Sequence, residues 1–138
     1  CQMYNKQWTC PPNCGSLEEL TEKIKEYDYG YLVQTIGKLD DDFDIETMLE
    51  TEKIHKKSIM ELNVYLKTQF VSTLPMPAGA CNLCEKCTFP DNPCRYPQFA
   101  GPSMEASGLF VTDVCRKNDV EYYYGPQTIS YTSCILVR

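Results

Sequence analysis

IETMLETEKIHKKSIMELNVYLKTQF, residues 45–70, runs directly into VSTLPMPAGACNLCEKCTFPDNPCRYPQFAGP, residues 71–102, and the contrast between the two halves decides the fold. In the first half Ile45, Met48, Leu49, Ile54, Ile59, Leu62, Leu66 and Phe70 recur at roughly helical intervals, which predicts one long helix from Ile45 to Phe70. The acidic residues Asp40, Asp41, Asp42 and Asp44 precede it, and Lys56, Lys57 and Lys67 lie later, as the helix macrodipole favours. The Asp40–Asp42 run is read as a solvated turn and cap rather than a cation site. From Ser72 to Pro102, six prolines, two glycines and four cysteines replace any periodic pattern. That composition predicts an irregular loop held by something other than a hydrogen-bond ladder.

Working outward, Ser16-Leu17-Glu18-Glu19 has the form of a capping box, so a helix should run from Leu17 to about Tyr27 with Leu17, Leu20, Ile24 and Tyr27 on one face. Gly30 breaks the pattern, and Tyr31–Ile36 reads as a strand. Ser103, with Glu105 in the first turn, is expected to cap a helix that runs to about Asn118. Tyr122–Tyr124 and Ile129–Val137 read as two strands of a hairpin around Gly125-Pro126, the three tyrosines alternating between core and surface. These elements predict a single α/β or α+β domain over residues 1–138: a small mixed sheet of three or four strands flanked by helices. The cysteine loop would lie on its surface or at a subunit interface. The chain starts at Cys1, inside a motif and without Met, which leads us to expect further residues upstream.

At 138 residues the chain is long enough to bury a core without a covalent staple. Nine cysteines then require another explanation: a disulfide framework, or thiolates kept for metal or redox chemistry. The odd count and the clustering favour thiolates. No apolar run approaches the roughly 20 residues that span a bilayer, and no signal-peptide pattern is present, so no membrane association and a cytoplasmic location are expected. A net charge of −6 argues against nucleic acid, whose phosphates require clustered Lys and Arg. The same acidity would steer a positively charged protein partner toward the chain.

Cys81-Asn82-Leu83-Cys84-Glu85-Lys86-Cys87 is C-x2-C-x2-C, a spacing that lets three thiolates converge on one iron-sulfur cube. Cys94 follows after six further residues and precedes Arg95, whereas ferredoxin-type loops place the fourth Cys after three and before Pro. It is taken as the fourth ligand on a longer spacing. A zinc knuckle is the alternative, but zinc sites use separated C-x2-C pairs or Cys with His, and the one His, His55, lies in the long helix. Short-range disulfides would be strained. His55 itself, on a Lys-rich stretch, is read as solvated rather than catalytic. Arg95 is read as a partner for cluster charge or a nearby carboxylate.

Cys1, Cys10 and Cys14 form an N-terminal group able to supply part of a second site, Cys10 on a stiff turn before Pro11-Pro12. Cys115 or Cys134 could complete it. The competing reading is that both are buried, and Cys134, in Cys134-Ile135-Leu136-Val137, is assigned to the core.

Three pieces carry a resemblance. Tyr4-Asn5-Lys6-Gln7-Trp8-Thr9-Cys10-Pro11-Pro12, then Cys81-x2-Cys84-x2-Cys87-Thr88 with Pro93-Cys94-Arg95-Tyr96-Pro97, and Pro102-Ser103-Met104-Glu105-Ala106 with Gly108, resemble the DUF2284 family of predicted metal-binding proteins. The resemblance implies a metal site at Cys81, Cys84, Cys87 and Cys94, with Cys1 and Cys10 in an N-terminal cysteine motif to which Cys14 does not belong. It also implies a protein of an anaerobe and leaves the reaction open. The resulting expectation is a [4Fe-4S] protein, with a second cluster allowed for, acting in electron transfer or as a redox accessory rather than as an enzyme. It would work with a protein redox partner, and a homo-oligomer is compatible. The alternatives are a zinc-stabilised interaction module and an enzyme whose cluster binds substrate.

Overall fold

The capping box forms as written: Glu19 N donates to Ser16 Oγ at 3.2 Å, and Ser16 N donates to Glu19 Oε2 at 2.8 Å. In the computed structural model, which describes residues 1–138, this cap starts α1 (Leu17–Lys25). β1 (Tyr29–Lys38), α2 (Ile45–Gln69), β2 (Thr73–Met76), α3 (Val111–Lys117) and β3 (Thr128–Val137) follow. The acidic run before α2 is a turn and cap: Asp44 accepts from Thr47 N and Asp40 N, each at 3.0 Å, and Asp41 accepts from Phe43 N at 2.7 Å.

The three strands form one sheet in the order β1-β3-β2. The class is α+β. Where the sequence suggests a mixed sheet, both pairings are antiparallel: Tyr29 to Lys38 face Val137 to Thr128, and Thr73 to Met76 face Val137 to Cys134. α2 covers one face, with Ile59 and Leu66 against Ile135 and Val137. Leu74, Met76, Met104, Val111 and Cys115 fill the other, flanked by Ile24, Tyr27 and Leu32. Burial of that apolar surface on both faces is the main stabilising term.

Four sequence expectations change. Gly30 does not break β1; it lies within it, because a Cβ there would meet Leu136 Cδ2 at 2.8 Å and Cys134 Sγ at 2.9 Å, side chains that lean over the position. β2 was hidden in the proline-rich loop. Pro75 is tolerated because β2 is an edge strand. The helix expected from Ser103 is a single turn, with Ala106 N donating to Ser103 Oγ at 3.1 Å, and Gly108 at φ +80° ends it before α3 restarts at Val111. Tyr122–Tyr124 is no strand: no main-chain hydrogen bond joins it to β3, although β2 reaches only Cys134–Val137 and leaves the first half of β3 free on that side. All three tyrosines are exposed. Their segment is tied down by side chains: Gln34 Nε2 donates to Glu121 O at 2.7 Å, and Ser130 Oγ to Tyr122 O at 2.8 Å.

α2 ends where its periodicity predicts, but only part of the expected apolar face turns inward: Ile59 and Leu66 are buried and Met48, Leu62 and Phe70 half-buried. Thr51, His55, Ile59, Asn63 and Leu66 are buried, while Ile45, Leu49 and Ile54 are exposed. His55 is therefore not solvated. It is fully buried, with Nδ1 2.8 Å from Thr35 Oγ1 and Nε2 2.7 Å from Ser133 Oγ. Ser133 Oγ also accepts from Ala78 N at 2.8 Å and has no other acceptor for its own proton. Ser133 therefore donates to Nε2, and Nδ1–H donates to Thr35. The ring joins α2, the sheet and the stem of the cysteine loop.

Candidate metal centre

Residues 1–14 form a chain of turns rather than a helix or strand. Asn5 adopts φ 55°, a left-handed conformation that Asn accepts more readily than most residues, and its amide nitrogen donates to Pro11 O at 2.8 Å. Asn13 Nδ2 closes the fold onto Asn5 Oδ1 at 3.2 Å and Gln7 O at 3.3 Å. Gln7, Trp8 and Thr9 are thereby presented to the cysteine loop.

The Gln7 side chain grips Cys81 at both main-chain groups. Nε2 donates to Cys81 O at 3.0 Å, and Cys81 N donates to Oε1 at 3.1 Å. Trp8 Nε1 donates to Asn92 O at 3.0 Å, and its ring meets the Phe89 ring edge-on at 5.0 Å. At the stem, Lys56 Nζ donates to Ala80 O at 3.0 Å while paired with Glu52. Further on, Asn92 N donates to Thr88 O at 3.0 Å and Thr88 Oγ1 to Pro93 O at 2.9 Å. Arg95 bonds the Lys86 carbonyl at 3.0 Å rather than a carboxylate. A loop without a ladder is thus held from the N-terminal motif, from α2 and from within.

Held in this way, Cys81, Cys84, Cys87 and Cys94 line one cavity together with Gln7, Trp8 and Thr9. Burial pushes the Cys81 thiol above its usual range; the Leu83 amide opposes this, and the neighbouring Cys94, Cys84 and Cys87 thiols add to it. Uncompensated negative charge is therefore disfavoured here, and a bound cation would reverse that preference. No three His, Cys, Asp or Glu side chains converge closely enough to hold a single ion. Thr9, which borders the same cavity, has its Oγ1 buried with only a weak contact to the adjacent Cys10 thiol.

The N-terminal cysteines separate. Cys10 is buried, its thiol 3.7 Å from Gln7 Oε1, and burial raises its pKa; the Thr9 side chain opposes this, and the nearby Cys14 and Cys87 add to it. Cys10 is therefore within electrostatic reach of one loop cysteine, Cys87. Cys1 is exposed, and its sulfur accepts from Met3 N at 3.4 Å. Cys14 and Cys94 both line an open groove of about 570 Å³ between the N-terminal turns and the end of the loop. Cys115 is fully buried in the core, and Cys134 packs at its margin, where burial pushes its thiol up to about 11. Both bear out the core reading.

Sequence reasoning missed the part played by Gln7, although it stands within the motif quoted for the resemblance. Gln7→Ala leaves the Cys81 amide and carbonyl unpaired in a part-buried site and should cost about 1–2 kcal/mol in chemical denaturation. Gln7→Glu should restore only part of this, because a carboxylate cannot donate to the Cys81 carbonyl. An unchanged unfolding midpoint in Gln7→Ala would show that the clamp contributes nothing.

Fold and site together define a small α+β domain organised around a four-cysteine loop that its own N-terminal turns hold in place. The family model described as "Predicted metal-binding protein (DUF2284)" matches residues 1–137, and the chain belongs to that family. No curated protein and no solved structure matches it. No helix is long and apolar enough to cross a membrane.

Proposed function

We propose that Cys81, Cys84, Cys87 and Cys94 hold a [4Fe-4S] cluster and that the protein serves electron transfer, as a redox accessory protein in the cytoplasm of an anaerobe. The observation that carries this reading is that all four loop cysteines line one cavity. A cube places each thiolate on a different iron, so its ligands must surround a shared space rather than meet at one point. The donor set is all sulfur, which suits iron-sulfur chemistry. Thr9 Oγ1, buried at the edge of the same cavity, could donate to a sulfur of the group. When bound, such a cluster supplies a one-electron donor and acceptor.

The chain's own part is to hold the thiolates and limit water. Gln7 fixes Cys81, Trp8 on Asn92 closes one wall, and the His55–Ser133–Ala78 link with Lys56 fixes the stem. A net charge of −6 favours a basic protein as redox partner. Iron and acid-labile sulfide, counted per chain after anaerobic purification, together with the EPR spectrum of the reduced protein, test the assignment. About four of each per chain is expected for one cluster. Zinc in their place, without sulfide, would overturn it in favour of a structural zinc module.

One observation favours a second reading. Cys94 borders the open groove, which the other three loop cysteines do not line. A cluster with an exchangeable iron on that side could take a substrate from the groove. In that case Cys94→Ser should retain most of its iron and sulfide. Loss of the cluster in that variant rules the second reading out.

A further inference from the structure

The outer edge of β1 is a long row of backbone without a partner. β1 pairs with β3 on one side, and no main-chain group bonds it on the other. Leu39 N donates to Gln127 O at 2.8 Å in the register of the strand pair, so the odd-numbered residues face β3. Alternation then turns the amides and carbonyls of Gly30, Leu32, Gln34, Ile36 and Lys38 outward.

The two sheet edges differ in protection. β2 is four residues long, contains Pro75, and has the Gly101 backbone pressed against the Pro75 carbonyl. β1 runs for ten residues in unbroken register. From Tyr29 to Gly37 it carries no charge and no proline, the devices that keep an edge from pairing. Tyr29, Tyr31 and Ile36 along it are exposed.

We propose that β1 pairs antiparallel with β1 of a second copy about a twofold axis through Val33, making one six-stranded sheet. Residues opposite each other in an antiparallel pair lie on the same face, so even positions must meet even ones and odd must meet odd. With the axis at Val33, Leu32 exchanges main-chain hydrogen bonds with the partner subunit's Gln34, and Gly30 with the partner subunit's Ile36. Asp28 of each copy then faces the partner subunit's Lys38, so the strand's one cation and the carboxylate next to its start pair twice. Exposed Ile36 comes beside Leu136, which leans over Gly30. An axis at Gln34 would set Lys38 against Gly30 and leave Asp28 outside the pairing. This charge and shape match argues for a second copy rather than an unrelated strand.

Sedimentation velocity over a concentration series tests this with the full chain. Wild type is expected to sediment as a dimer in the micromolar range. Ile36→Pro removes an outward amide without touching the ladder to β3, and Lys38→Glu sets like charges together. Each should weaken association at least about tenfold. The double exchange Asp28→Lys with Lys38→Asp should recover most of it, which a merely structural effect of either change would not. A monomeric wild type at millimolar concentration overturns the proposal. So does a dimer unaffected by Lys38→Glu, or a double exchange no tighter than Lys38→Glu; these outcomes hold even if Ile36→Pro fails to fold.

Discussion

Acidification from pH 7 to below pH 4 is expected to cost the folded chain about 3 kcal/mol through His55 alone, because its pKa is lowered from 6.5 to about 4. Burial is the main cause; the neighbouring Lys56 charge lowers it further, and Glu52 opposes. As pH falls through 6.5, the unfolded chain takes up the proton while the folded one resists until about 4. The contribution is therefore intact above about 6.5, shrinks across that window and is gone below about 4. The structural reason is the hydroxyl arrangement. Neutral Nε2 accepts from Ser133, and a proton there would confront a donor that has no other acceptor. Urea unfolding of wild type and His55→Gln between pH 6.5 and 5, where most carboxylates remain ionised, is the check. Wild type should lose stability over that interval and the variant should stay nearly flat. Equal slopes would mean that His55 is not the group responsible.

The second large effect is expected at Gly101. A Cβ at this position would overlap the Pro75 carbonyl oxygen, a backbone atom that no rotamer change can move aside. Gly101→Ala should therefore push residues 100–102 off the edge of β2, at about 3 kcal/mol, at the upper end of the usual cost of overpacking. Ala100 and Gly101 line a cleft with Cys81, so the displacement also loosens one support of the cysteine loop. Chemical denaturation gives the magnitude, and faster amide exchange confined to β2 and its neighbours gives the location. A loss under about half a kilocalorie per mole would mean that the contact yields freely.

Much of the helical structure was legible because its signals are local. Ser16 and Glu19 lie within one turn of each other and cap α1 without help from the rest of the chain. Asp44 does the same for α2. The inward face of α2 was legible only in part. Apolar spacing correctly places Ile59 and Leu66 inside but also points to Ile45, Leu49 and Ile54, which are exposed, whereas His55 and Asn63 are buried because the sheet supplies partners for them: Ser133 and Thr35 for His55, and Thr73 for Asn63. A polar side chain reads as exposed until its hydrogen-bond partner is known. β2 and the Tyr122–Tyr124 segment were misread for a related reason. Strand identity depends on which backbone makes the ladder bonds: Pro75 lies opposite Ile135 in the sheet, while Tyr122–Tyr124 is held by the side chains of Ser130 and Gln34 instead.

The candidate site divides along the same line. The C-x2-C-x2-C spacing, the loop around it and the core assignment of Cys134 follow from residue order and composition, since they depend on neighbours in the chain. Tertiary structure decided that Cys94 shares a cavity with the other three, that Cys10 comes within electrostatic reach of Cys87, and that Gln7 holds Cys81 from 74 residues away. Those relations rest on backbone groups of an irregular loop, which have no period to betray them and acquire partners only when the N-terminal turns and α2 close around it.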